Sequence, residues 1–126
     1  MSDSYSTALV NNILHEFQNK NKEAAFKKMS NYIKMNPKDY IAVYNFALMA
    51  EKIGKINLAI ENYLKVIKKE RKNWQSRFNL YIIYIKQKKY EKALPLVNEV
   101  LQIYNKYQPA LRDKALIYYY LGTPDK

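Results

Sequence analysis

The chain has 126 residues, 22 Lys and Arg against 11 Asp and Glu for a formal net charge of +11, only 2 Gly and 4 Pro, and no Cys. That length suits one domain with a real core. The missing cysteine excludes disulfide scaffolds, thiolate metal sites and thiol nucleophiles, and long stretches without a breaker favour an all-α chain over a sandwich of turn-linked strands.

The N-terminus, MSDSYSTALVNNILHEF, has no basic start followed by a continuous apolar run, so no secretory signal is visible. No stretch approaches the roughly 18 apolar residues of a membrane-spanning helix, and the expectation is a soluble, cytoplasmic protein. The positive charge invites a nucleic-acid reading. Only three of the basic residues are arginine (Arg71, Arg77, Arg112), however, and phosphate recognition more often recruits the arginine fork. Lys, Asn, Ile and Tyr are all abundant and share AT-rich codons, so the lysine excess also fits genome composition.

The first apolar run places Val10, Ile13, Leu14 and Phe17 on one helical face, with Asn11, Asn12 and His15 outward. EAAFKKMSNYIKMNP (23–37) follows as a second helix. Next come Val43, Phe46, Ala47 and Ala50, the turn residue Gly54, and LAIENYLKVIKKER (58–71). Arg77, Leu80, Tyr81 and Tyr84 repeat the pattern before KALPLVNEVLQIYN (92–105). The small residues Ala25, Ala59 and Ala93 lie 34 apart, as do Ile33, Ile67 and Leu101. The period predicts pairs of short helices over 7–39, 40–73 and 74–107, then a lone helix over 108–121. Gly54 fits a left-handed helix cap; Lys88 stands one period later and Gly122 one further.

The first unit fits best when it is one residue shorter than the others, because the full period would put Asn12 and Glu16 into the core. In the last helix the same projection puts Leu111, Ala115 and Tyr118 in the core, with Lys114 off pattern, and the sequence stops at Thr-Pro-Asp-Lys. That helix is expected to cap the array, to precede further repeats in a longer protein, or to pack on a second copy.

This pattern resembles the tetratricopeptide repeat family, whose 34-residue unit carries W-x2-L-G-x2-Y, A-x3-F-x2-A and a closing proline. Its correspondents are Val43, Phe46, Ala47, Ala50, Gly54, Ala59, Tyr63 and Val66, then Arg77, Leu80, Tyr81, Tyr84, Ala93, Val97 and Val100; the proline recurs only as Pro37. The resemblance implies a right-handed α-solenoid of antiparallel helix pairs. It also implies a non-enzymatic adaptor that holds a peptide or partner segment on a concave face lined by the first helix of each pair.

Projecting the register puts Asn12, His15, Tyr44, Asn45 and Leu48 on that face, then Phe78, Asn79, Ile82, Lys86, Arg112, Leu116 and Tyr119. Asn12, Asn45 and Asn79 occupy equivalent places, followed by Asp113; amides there can hold a peptide backbone through donor and acceptor alike. Tyr44, Leu48, Phe78, Ile82 and Tyr119 form an apolar floor. Chaperone-binding members clamp a terminal carboxylate with two lysines, two asparagines and an arginine. The corresponding Asn11, His15, Asn45, Gln75 and Asn79 match only at Asn45, so strong binding of such a tail is not expected.

Catalysis finds no footing in this inventory. One histidine, His15, stands without a recognisable partner and the carboxylates are dispersed. The two glycines, Gly54 and Gly122, are too far apart in sequence to build a phosphate loop. No cofactor or metal is expected. The stretch 65–77 places lysines at a helix C-terminus, where the dipole favours them. Trp74 is expected to staple adjacent helices. The alternatives to a peptide-binding adaptor are a basic nucleic-acid-binding surface and a module that self-associates through its C-terminal helix.

Overall fold

The computed structural model describes residues 4–122, and the terminal Thr-Pro-Asp-Lys, at which the sequence stops, lies outside them. The described residues form seven helices and no strand: α1 (Ser4–Asn19), α2 (Lys22–Met35), α3 (Tyr40–Lys52), α4 (Ile56–Lys69), α5 (Trp74–Lys86), α6 (Tyr90–Ile103) and α7 (Gln108–Leu121). Helices α3, α5 and α7 begin at 40, 74 and 108, and helices α2, α4 and α6 at 22, 56 and 90, so each step equals the period of the small residues in the sequence.

The turns carry the same period. Gly54, Lys88 and Gly122 all adopt positive φ, at 85°, 61° and 71°. The following amides close the first two turns, with Lys55 N donating to Ala50 O at 2.8 Å and Lys89 N to Tyr84 O at 2.8 Å. Both are Schellman closures, in which the left-handed residue lets the chain reverse while satisfying a helix-end carbonyl. The α1–α2 turn contains only residues 20 and 21, one fewer than the α3–α4 and α5–α6 turns. Asn21 starts α2 directly, its side chain accepting from Ala24 N at 3.0 Å. Asp39 and Asn73 cap α3 and α5 in the same way.

Packing divides the chain into two compact units, residues 1–66 and 67–126. In the first, α1 packs on α2 and α2 on α3, while α1 also touches α3. Its core joins Val10, Ile13, Phe17, Ala25, Met29, Tyr32, Ala42, Phe46 and Met49, with Leu14 half-buried against it. The Phe26 and Phe46 rings stack at 4.7 Å between α2 and α3. Tyr63 of α4 is fully buried and donates to Glu51 Oε1 of α3 at 2.8 Å.

In the second unit α6 packs on both α5 and α7, and Tyr81 of α5 reaches Asp113 of α7. Leu80, Tyr81, Ala93, Val97, Val100, Ala110 and Ile117 are fully buried. Arg77, at a position where the repeat expects an apolar residue, is buried too. Its Nε donates to Glu99 Oε1 at 2.7 Å and its Nη1 to the carbonyls of Asn73 at 3.0 Å and Glu70 at 3.2 Å. One side chain thereby satisfies the loop before α5 and ties it to α6. Trp74 does staple helices: its ring lies 4.7 Å from Tyr107, 5.4 Å from Tyr104 and 6.4 Å from Phe78.

The register expected for α7 is corrected here. Leu111 and Ala115 are exposed and Tyr118 is only half-buried, whereas Ala110 and Ile117 are buried. Ala110 and Ile117 stand one period after Ser76 and Ile83, which are likewise buried. Leu111 and Ala115 stand one period after Arg77 and Tyr81, whose burial depends on the helix that follows α5. Among the described residues no helix follows α7, so only the sides facing α6 and α5 are covered.

These contacts set the expected cost of two substitutions. Ser76 is fully buried with its hydroxyl unpartnered, while the equivalent positions are Ala42 and Ala110. Ser76→Ala should raise the unfolding free energy by about 1 kcal/mol in urea titration. Arg77→Ala, which strands loop carbonyls in a dry site, should cost roughly 3 kcal/mol. Glu99→Gln, at a half-exposed position, should cost under about 1 kcal/mol. A larger loss from the glutamate change than from the arginine change would contradict the role given to Arg77.

Candidate functional site

On the first unit, the neighbouring faces of α1 and α3 leave a cleft of about 250 Å3. Its apolar wall is made by Leu14 and Phe17 of α1 with Leu48 and Met49 of α3. Gln18, Lys22, Asn45 and Lys52 supply the polar rim. These residues meet because α1 and α3 touch and project side chains at i, i+3 and i+4 into the cleft, with Lys22 added from the start of α2. A second, smaller hollow of about 90 Å3 also borders Asn45 and is bounded by Thr7, Val10, Asn11, Asp39 and Ile41. Asn45 thus borders two hollows. One of its amide N–H groups donates to Ile41 O at 2.9 Å, a bond that fixes the side-chain rotamer.

The remaining expected residues divide sharply. Asn12 and His15 lie on α1, where Asn12 is exposed. The Asn19 amide nitrogen lies 3.2 Å from His15 Nδ1 and donates to His15 O at 3.1 Å. Tyr44 is half-buried with its ring 6.0 Å from that of Tyr63, so it packs toward α4. Leu48 alone among the expected floor residues of this unit lines the cleft.

In the second unit Phe78 lies within the Trp74–Tyr81–Tyr107 aromatic cluster, where it holds helices together. Asn79 and Ile82 are half-buried and Lys86 is exposed. On α7, Arg112 is exposed, Leu116 is 39% exposed and Tyr119 77% exposed. Asp113, expected to continue the asparagine row, accepts from Tyr81 Oη at 2.8 Å and serves the fold. Tyr120 stacks on Tyr90 at 4.8 Å. Tyr119 meets the Tyr120 ring edge-on at 5.2 Å, while Tyr118, half-buried, points elsewhere on the helix.

Lys22 and Lys52 belong to the cleft although a reading of helix faces passes over them. Both sit at helix ends, and Lys22 reaches back so that its Nζ lies 4.8 Å from the Phe17 ring centroid. Among the described residues no group of His, Asp and Glu could hold a metal ion, and no helix is long and apolar enough to cross a membrane.

No family model matches the chain, and no curated protein does. Solved structures do. The chain is similar to the MamA RS-1 ArsTM double mutant at a TM-score of 0.83 and 17% identity, covering 95% of this chain and 67% of that one. Two crystal structures of MamA match at TM-scores of 0.78 and 0.79, with 16% and 15% identity. They cover 86% and 90% of this chain and 63% and 64% of theirs. The chain thus spans about two thirds of the length of these structural relatives. At such identities the likeness is one of fold: an all-helical, TPR-like repeat.

Burial pushes the phenols of Tyr63 and Tyr81 far up, and the carboxylates of Glu51 and Asp113 that accept from them push the same way. A phenol raised above its unfolded value of about 10 stabilises the fold below that pH and loses this contribution as pH rises further. In an alkaline absorbance titration of the 13 tyrosines, Tyr63 and Tyr81 should form a late phase that appears only as helical circular dichroism is lost. The late phase should vanish in the Tyr63→Phe, Tyr81→Phe double variant. One reversible phase for all tyrosines, with helicity intact, would contradict the two buried hydrogen bonds.

Proposed function

We propose that the chain is a non-enzymatic protein-interaction adaptor that holds an extended partner segment on the face shared by α1 and α3. The observation that carries this reading is the α1–α3 cleft. It has an apolar wall of four side chains, a polar rim, and Asn45 shared with a second hollow. A groove of this make-up suits a peptide with an apolar anchor and a backbone needing a few polar contacts. Its small size excludes most of a drug-sized molecule, since such sites run to roughly 300–1,000 Å3. The TPR-like fold supports the same reading, because stacked helix pairs present a preformed surface that binds without rearrangement.

Peptides selected from a random library on the immobilised chain provide the test. Leu48→Glu puts a charge into the cleft wall; Leu64→Glu changes an exposed leucine on α4, 46% accessible, and serves as the control. Selected peptides should bind Leu48→Glu at least roughly tenfold more weakly and the Leu64→Glu variant unchanged. Binding that survives Leu48→Glu and fails in Leu64→Glu would move the site to the opposite face and overturn the proposal. Capture of single-stranded oligonucleotides in preference to every peptide, with a steep salt dependence, would favour the nucleic-acid alternative instead.

A further inference from the structure

We infer that the α1–α3 cleft selects acidic partners: it takes one bulky apolar side chain of a peptide while Lys22 and Lys52 pair with carboxylates flanking that side chain. This rests on the reading that the cleft binds a peptide, and adds the chemistry of the segment.

Both charged residues that line the cleft are lysines, and Lys22 is exposed at its rim. The carboxylates nearest to them on α1 and α3 are engaged elsewhere. Glu16 pairs with Lys28 at 2.8 Å, and Glu51 accepts the Tyr63 hydroxyl at 2.8 Å. Among the described residues neither Lys22 nor Lys52 has an ion-pair partner. Glu23, next to Lys22 on α2, is exposed and forms no ion pair with either lysine, so the cleft mouth carries two cations without an ion-pair partner above a wall of apolar side chains.

Lys52 has a local reason to be where it is, since it lies in the last turn of α3, where the helix dipole favours a cation. Lys22 has the opposite situation. It is the first residue of α2, directly after the Asn21 cap, where the dipole disfavours a positive charge. A residue that breaks a local rule without a compensating salt bridge points to a role outside the fold. Its ammonium is held 4.8 Å from the Phe17 ring centroid, so the cation stands at the edge of the apolar wall. An anion bound there would sit beside the buried side chain of the residue next to it. About 250 Å3 accommodates one large side chain, and a carboxylate on either flank reaches one lysine.

Carboxyl-amidated, N-acetylated nonapeptides with one central Leu test this, flanked on both sides by Glu, by Gln or by Lys. Terminal charges are thereby removed, and only side-chain charge distinguishes the peptides. By fluorescence anisotropy the Glu-flanked peptide should bind roughly tenfold more tightly than the Gln-flanked one, and the Lys-flanked one most weakly. In the Lys22→Gln, Lys52→Gln double variant the Glu and Gln peptides should become equal while circular dichroism is unchanged. Equal binding of Glu and Gln peptides to the unaltered protein overturns the charge preference and leaves the peptide-binding reading intact. A Glu preference that persists in the double variant overturns the assignment to these lysines. If no peptide binds at all, the preference is likewise overturned, and the library selection against Leu48→Glu decides the reading beneath it.

Discussion

The structure depends on helices approaching one another at points where only a very small side chain fits. Ala25, Ala59 and Ala93 have no exposed surface, and neither do Ala42, Ser76 and Ala110. Helices packed through larger residues sit farther apart, so these positions set the interhelical distance. Everything larger is arranged around them. Met29, Met49, Tyr63 and Tyr81 are fully buried as well, and in a core this closely filled a methylene added at an alanine forces neighbours off their rotamers. Because the small residues recur with one period, the same approach is made again and again, and the turns must reverse the chain in step with it. That explains why Lys88 accepts a left-handed conformation, which disfavours a side chain, at the place where Gly54 and Gly122 adopt it freely.

The same geometry produces the candidate site. A first helix has one stripe facing the helix before it and another facing its own partner, and α3 buries both: Phe46 stacks on Phe26 of α2, and Glu51 accepts from Tyr63 of α4. What is left over points away from the second helices, and between α1 and α3 the leftover faces stand close enough to enclose a cleft. The surface is rigid because its floor is continuous with the core: Phe17 and Met49 belong to both. Rigidity of this kind lowers the ordering cost of binding for the protein and leaves it to the peptide.

Much of this is legible in the sequence, for physical reasons. The spacing of small residues, the glycine positions and the apolar stripes are local consequences of helix periodicity, and they locate the helices. Even the shorter first turn follows, since Val10, Ile13 and Phe17 are buried only if α1 is set one residue later relative to α2. The burial of α7 is not legible in the same way. A repeat motif assumes both neighbours of each helix, and Leu111 and Ala115 are apolar residues at positions that need a following helix. Arg77 reads as a substitution in an apolar position; that its guanidinium replaces packing with bonds to Glu99 and two loop carbonyls depends on the three-dimensional arrangement. At the candidate site, Asn45 and Leu48 follow from the projected face. Phe78, Tyr44 and Asp113 turn toward neighbouring helices because a small rotation of the helix decides between groove and interior. Lys22 and Lys52 escape a reading of faces because they lie at helix ends; the one signal is a lysine opening α2 directly after its cap.

The central claim is that the α1–α3 cleft, and not another face, receives the partner's side chain. Isotope-filtered nuclear Overhauser spectroscopy on the labelled protein with an unlabelled Glu-Leu-Glu-centred peptide tests it most directly. The peptide leucine methyls should show contacts to the ring of Phe17 and the side chains of Leu48 and Met49. Contacts instead to Leu111, Leu116 or Tyr119 on α7, with none to Phe17 or Leu48, would contradict the account.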